Sequence, residues 1–117
     1  MLPTVLVVED SEIVRPLVAR MLSVEGYPVH TAVDGIEALD LLADTPVDVV
    51  VTDLLMPRLN GRMLALEIAA RWPSVRMVFM TGHPDSSLTN DLPGPLLMKP
   101  FGVEELSTMI GRLIAPG

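Results

Sequence analysis

Five short runs of apolar, largely β-branched residues recur along the chain, at Thr4–Val8, Val29–Ala32, Val47–Thr52, Val75–Met80 and Leu96–Met98. Within each run most residues of both parities are apolar, the pattern of a strand covered on both faces. Amphipathic helical patterns follow these runs. Ile13, Val14, Leu17, Val18, Met21 and Leu22 share one helical face, Ile36, Leu39 and Leu42 another, and Leu64 and Ile68 a third. Leu106, Met109, Ile110, Leu113 and Ile114 form the cleanest stripe. Regular alternation of strand and helix requires parallel strands joined by crossovers, because antiparallel neighbours need only a hairpin. The expected architecture is an open α/β sandwich, with helices on both faces of a five-stranded sheet. Gly26, Asp34-Gly35, Pro46, Asn60-Gly61, Pro73 and Pro93-Gly94-Pro95 separate the units. Pro16 falls about one turn into the first helical pattern, where it costs little if the helix starts near Ile13.

Five strands in 117 residues fit a doubly wound, flavodoxin-like (βα)5 sheet in the order 2-1-3-4-5. Residues 1–117 are expected to be a single domain, and no linker, repeat or low-complexity stretch interrupts them. Half of the residues are apolar, enough for a core without staples. The net charge of −7 argues against direct binding to nucleic acid or to a membrane surface. The absence of cysteine excludes disulfides, thiolate zinc sites and thiol catalysis. Apolar runs are only a few residues long, far below the roughly 18 needed to span a bilayer. The amino terminus has no basic region and its apolar run stops at Glu9-Asp10, so it does not read as a signal peptide. A cytoplasmic location is the expectation.

Sites in open parallel sheets form at the carboxyl ends of strands, near the point where the strand order reverses. The first run exits into Glu9-Asp10, the third into Asp53, the fourth into Thr81-Gly82 and the fifth into Lys99-Pro100. In the 2-1-3-4-5 order the first and third strands are neighbours, so three carboxylates converge. Like charges so close raise one another's pKa unless a cation intervenes. A hard divalent cation satisfies them, and Mg²⁺ fits best because it takes one or two carboxylates, waters and a phosphate oxygen. Taken singly, each residue has a plainer reading. Asp10 or Ser11 would cap a helix, Asp53 would open a turn, Thr81 would end a strand, and Lys99 would be a solvated surface lysine. Taken together, four exits of five carry the groups of a metal-assisted phosphoryl-transfer site. Lys99 is the single lysine among eight basic residues. The exit of the second run, near Val33-Asp34, lies on an edge strand away from the cluster.

These residues resemble a response-regulator receiver domain over essentially the whole chain. The matching motifs are Val7-Val8-Glu9-Asp10, Asp53-Leu54-Leu55-Met56-Pro57 with Asn60-Gly61, Met80-Thr81-Gly82 and Lys99-Pro100-Phe101. The resemblance implies a phosphoacceptor in two-component signalling, either free-standing or as a module of a larger protein such as a hybrid sensor histidine kinase. Asp53 would be the phosphoacceptor, taking the group from a histidine kinase or a histidine phosphotransfer domain. Glu9, Asp10, Asp53 and the backbone carbonyl of Leu55 would hold Mg²⁺ or Mn²⁺. Thr81 and Lys99 would bind the phosphoryl oxygens, and the Lys99-Pro100 bond would be cis. Leu55 and His83, two positions after the acceptor and the threonine, would tune the lifetime of the phosphoryl group. Catalysis would be limited to the domain's own aspartyl phosphorylation and slow dephosphorylation.

The chain departs from the family pattern in three places. Glu9 stands where many members have Asp. Leu96 stands three positions before the lysine, where an aromatic residue is usual, so the threonine–aromatic switch lacks its partner. The stretch between Thr81 and Lys99 is short, and Pro93-Gly94 ends it, so the fourth of five helices is expected to be short or degenerate. A monomer or weak dimer follows from that reduced surface. An aspartyl-nucleophile phosphatase would carry a second acid two positions after the nucleophile, where Leu55 stands. A degenerate receiver would lack some of the five polar residues. A dinucleotide or flavin binder would need a glycine-rich loop after the first strand, and there is none.

Overall fold

The first strand, β1 (Val5–Val8), is buried along its whole length, which only a central strand with helices on both faces can be. The computed structural model describes residues 2–56, 58–82, 89 and 91–114. In chain order the elements are β1, α1 (Val14–Val24), β2 (Val29–Ala32), α2 (Gly35–Asp44), β3 (Val49–Asp53), α3 (Gly61–Arg71), β4 (Arg76–Thr81), β5 (Leu96–Met98) and α4 (Val103–Ile114). The five strands form one parallel sheet in the order β2-β1-β3-β4-β5, the flavodoxin-like arrangement expected from the strand–helix alternation. The fourth expected helix falls on residues 83–88 and 90, outside the described residues.

Strand alternation divides the core into two layers. Leu6, Val8, Val50 and Phe79 point to the face covered by α2 and α3, where they meet Ala38, Leu64 and Ile68. Val5, Val7, Val51 and Val78 point to the opposite face and pack on Val18, Leu22, Leu106 and Ile110 of α1 and α4. β2 corrects the expectation of strands covered on both faces. It is an edge strand, with His30 and Thr31 exposed.

Two helical faces also differ from their sequence pattern. Ile13 (79 % exposed) precedes α1 rather than joining it, and Leu17 and Ile36 are exposed as well. The buried stripe of α1 is Val18 and Leu22, with Val14 alongside, and the helix begins one residue after Ile13, where the apolar pattern starts. Ser11 sets that start. Its hydroxyl accepts from the Ile13 and Val14 amides at 3.2 and 3.1 Å, and its carbonyl accepts from Arg15 N–H. Ser11, and not Asp10, therefore supplies the side chain that binds the amides leading into α1, whose N-cap residue, Ile13, offers none. Pro16 sits in the first turn, where its missing N–H leaves no helical bond unmade.

One glycine determines how closely a helix approaches the sheet. Gly61 opens α3 against the end of β3, and a Cβ there would lie 2.4 Å from the Asp53 carbonyl oxygen. Gly111 is the opposite case: it lies inside α4 with nothing within 4 Å of a Cβ. Gly61→Ala should therefore destabilise the chain by about 1–3 kcal/mol. Gly111→Ala should stabilise it by about 0.5–1 kcal/mol. Denaturant unfolding of the two variants checks both signs at once.

Candidate functional site

The strand order places the exits of β1, β3, β4 and β5 side by side. Glu9 and Asp10 follow β1, Asp53 ends β3, Thr81 ends β4, and Lys99 follows β5. Glu9 and Thr81 are each 1 % exposed and Asp53 is 7 % exposed, whereas Asp10 faces solvent. Glu9, Asp10 and Asp53 each present a carboxylate oxygen, and the three oxygens lie within 4.8 Å of one another.

Two buried carboxylates need a compensating charge. Lys99 supplies it. Its Nζ donates to Glu9 Oε1 at 2.6 Å and to Asp53 Oδ2 at 2.9 Å, bridging the ends of β1 and β3 from beyond β5. The second Glu9 oxygen accepts from Ser11 N–H at 3.1 Å. Burial works to lower the Lys99 pKa, but the hydrogen bonds and charges of Glu9 and Asp53 outweigh it and hold the ammonium above the ordinary lysine range. Asp10 also moves upward, which for an acid disfavours the charged form. Burial first, then its hydrogen bond and repulsion with Glu9, push its carboxyl above the usual value, with Lys99 opposing only in part. Three carboxylates against one ammonium leave the cluster with excess negative charge.

Backbone contacts hold these groups in place. Lys99 N–H donates to the Thr81 carbonyl at 2.8 Å, and the Lys99–Pro100 peptide is cis. Leu54 N–H donates to the Met80 carbonyl, and Gly61 N–H returns to the Leu54 carbonyl, each at 3.0 Å. Leu55 N–H reaches Asp53 Oδ1 at 3.4 Å, and the Leu55 side chain is 44 % exposed beside the cluster. Thus Glu9, Asp10, Asp53 and Lys99 converge, with Thr81 and Leu55 on the adjoining backbone. His83 and Pro57 lie outside the described residues.

Sequence reasoning missed two residues that brace the site. Arg15 donates to the Glu9 carbonyl at 3.0 Å, tying α1 to the end of β1. Asp34, read as part of a chain breaker and as an edge-strand exit away from the cluster, is 4 % exposed and pairs with Arg58 in the connection after β3. Asp34-Gly35-Ile36-Glu37 does carry a readable signal, the capping-box spacing. Glu37 N–H donates to Asp34 Oδ1 at 2.9 Å, and Val33 N–H donates to Glu37 Oε1 at 3.2 Å. Nothing in the spacing of Arg58 announced its partner.

The donor set is hard oxygen throughout, and its excess negative charge suits a small divalent cation of the Mg²⁺ class. No helix among the described residues is long and apolar enough to cross a membrane.

Comparison with known proteins agrees with this arrangement. The chain is 34% identical over 117 residues to the sensor kinase CckA of Brucella abortus, covering 95% of this chain and 12% of that protein. It is 35% identical over 116 residues to the response regulator MprA of Mycobacterium sp. strain KMS, covering 94% of this chain and 50% of that protein. The chain thus spans at most about half the length of these relatives. Among solved structures, the signal receiver domain of an HD domain-containing protein from Pseudomonas fluorescens superposes with a TM-score of 0.90 at 28% identity, over 97% of this chain and 95% of that one. The response regulator TrrA of Thermotoga maritima, solved in complex with Mg²⁺ and BeF, superposes with a TM-score of 0.87 at 29% identity, over 97% of this chain and all 100% of its own. The family model for the response regulator receiver domain matches residues 5–111, which include every strand exit described above, and the chain belongs to that family.

Proposed function

We propose that the chain is the phosphoacceptor of a two-component relay, with Asp53 as the acceptor. The observation that carries this reading is the Lys99 ammonium shared between Glu9 and Asp53. A lysine in that position offsets part of the charge of the resting carboxylates and can shift to phosphoryl oxygens when Asp53 is modified. In the reaction, an Asp53 carboxylate oxygen attacks the phosphorus of a phosphohistidine on a histidine kinase or histidine phosphotransfer domain. The P–N bond breaks, the imidazole leaves with the electron pair, and an aspartyl phosphate remains. Phosphoryl transfer of this kind depends on positioning and charge neutralisation rather than on further covalent chemistry. Lys99 and the Thr81 hydroxyl would bind phosphoryl oxygens, while Glu9, Asp10, Asp53 and the Leu55 carbonyl would hold the metal. Bound Mg²⁺, or Mn²⁺ in its place, would offset the charge gathered on the transferring group. The reading implies a cytoplasmic setting, a kinase partner and no direct contact with nucleic acid or membrane.

Acetyl phosphate with Mg²⁺ should add one phosphoryl group to the wild-type chain, read by intact mass. Asp53→Asn should take none, and modification of that variant to the wild-type level would refute the assignment. Mg²⁺ at a hundredfold excess over Kd should stabilise the wild type by about 2.7 kcal/mol. Asp10→Asn removes the repulsion with Glu9, so its melting temperature without Mg²⁺ should rise by about 2–4 °C. The same variant should lose most of the Mg²⁺-dependent shift, whereas a shift equal to wild type would place the metal elsewhere. Leu55 lies half exposed beside the acceptor, where an apolar side chain hinders rather than orients an attacking water. Leu55→Asn should shorten the phosphoryl lifetime severalfold in a phosphate-release assay.

A further inference from the structure

The connection between β3 and α3 contains Arg58 with φ of 69°, in the left-handed region that non-glycine residues rarely adopt. Such a conformation persists only where surrounding contacts over-determine it. Two contacts do so here, and both lead to the start of α2. The Arg58 guanidinium pairs with Asp34 Oδ2. Next to it, Leu59 packs so closely on Gly35 that a Cβ there would lie 2.7 Å from Leu59 Cδ2.

Asp34 is a rigid anchor for that pairing. Its side chain is 6 % exposed, whereas that of Arg58 is 67 % exposed, so a surface arginine is held by a buried carboxylate. The other carboxylate oxygen is committed to the Glu37 amide, and the Asp34 carbonyl accepts from Ala38 N–H. The Glu37 side chain closes the same turn onto the Val33 amide. Asp34 therefore cannot follow the Arg58 segment if it moves; the segment must stay with Asp34.

We propose that the Arg58–Asp34 ion pair is a latch that holds the acceptor connection against α2, making Arg58 a positioning residue for the Leu55 carbonyl and for cation binding. The latch rests on the phosphoacceptor reading above. The held segment begins with Leu54 and Leu55, whose backbone lies directly beside Asp53, and ends at Asn60, which caps α3 by accepting from Met63 N–H at 2.9 Å. One end is fixed by the Leu54–Met80 and Gly61–Leu54 hydrogen bonds. Arg58 fixes the middle, so the pair limits where the Leu55 carbonyl can point. Residues that orient a metal's own ligands typically change metal affinity by about 10–100-fold when removed.

The test uses Arg58→Gly, which removes the guanidinium while glycine tolerates the left-handed backbone. It is paired with Asp34→Asn/Arg58→Gly, which leaves no unpaired carboxylate and keeps a good helix cap. In both variants, Mg²⁺ affinity by calorimetry should fall about tenfold. Without metal, amide exchange at Leu55 and Gly61 should be faster than in wild type. Arg58→Lys should recover part of the affinity. Wild-type Mg²⁺ affinity and wild-type exchange at both amides in Arg58→Gly would overturn the latch. So would a lowered melting temperature with unchanged Mg²⁺ affinity, which marks a role in stability alone. Failure of the wild-type chain to accept a phosphoryl group would refute the phosphoacceptor reading, and the exchange experiment would still decide the latch.

Discussion

Everything at the carboxyl edge of the sheet depends on the bridge from Lys99 to Glu9 and Asp53. Glu9 and Asp53 are buried at adjacent strand ends, and two carboxylates cannot stay charged there without a cation. The cation arrives from β5, three strands away from β1 in the sheet, so the bridge links the edge of the sheet to its centre. It closes only if β1, β3, β4 and β5 are all parallel and in order, since reversal of any one would carry its polar residue to the opposite edge. The fold and the charge balance are thus one constraint. Asp10, at the solvent side, has its carboxyl pushed above the usual value by burial and by Glu9, and the three carboxylates against one ammonium leave room for a further positive charge.

The surrounding backbone limits the movement of these groups. Gly61 allows α3 to start in contact with the Asp53 carbonyl, and Arg15 ties α1 back to the Glu9 carbonyl. The connection between β3 and α3 is held from the far side by Asp34 and Gly35 at the start of α2. The starts of α1 and α3 thus border the site and that of α2 braces the connection after β3, each contributing hydrogen bonds or close packing rather than the reacting groups. Precise placement of charge is what phosphoryl transfer requires of a protein.

Much of this was legible in the sequence. The alternation of short β-branched runs with helical stripes dictated parallel strands, and chain length limited them to five. Reading the residue after each run was enough to collect Glu9, Asp10, Asp53, Thr81 and Lys99. These signals are local, because strand burial and strand ends are written in consecutive residues. Faces of individual helices were less legible. Ile13, Leu17 and Ile36 fit an apolar periodicity yet lie exposed, since Ile13 precedes α1, α1 turns Val18 and Leu22 to the core, and α2 turns Ala38 and Leu42 there. The pattern also treated the run at β2 as covered on both faces, although the edge position leaves His30 and Thr31 in solvent.

The sequence by itself determined the fold class and the chemical identity of the cluster, because these rest on hydrophobic period and on residue type at strand ends, whereas the strand order came from the known doubly wound arrangement that five such units fit. Tertiary structure decided which oxygen Lys99 holds, that Asp10 is the strained acid, and that Arg58 pairs with Asp34. These are long-range facts. Glu9 and Lys99 lie 90 positions apart, and Asp34 and Arg58 lie 24 apart. No local pattern relates such residues, and only the packing of one loop against another brings their charges into contact.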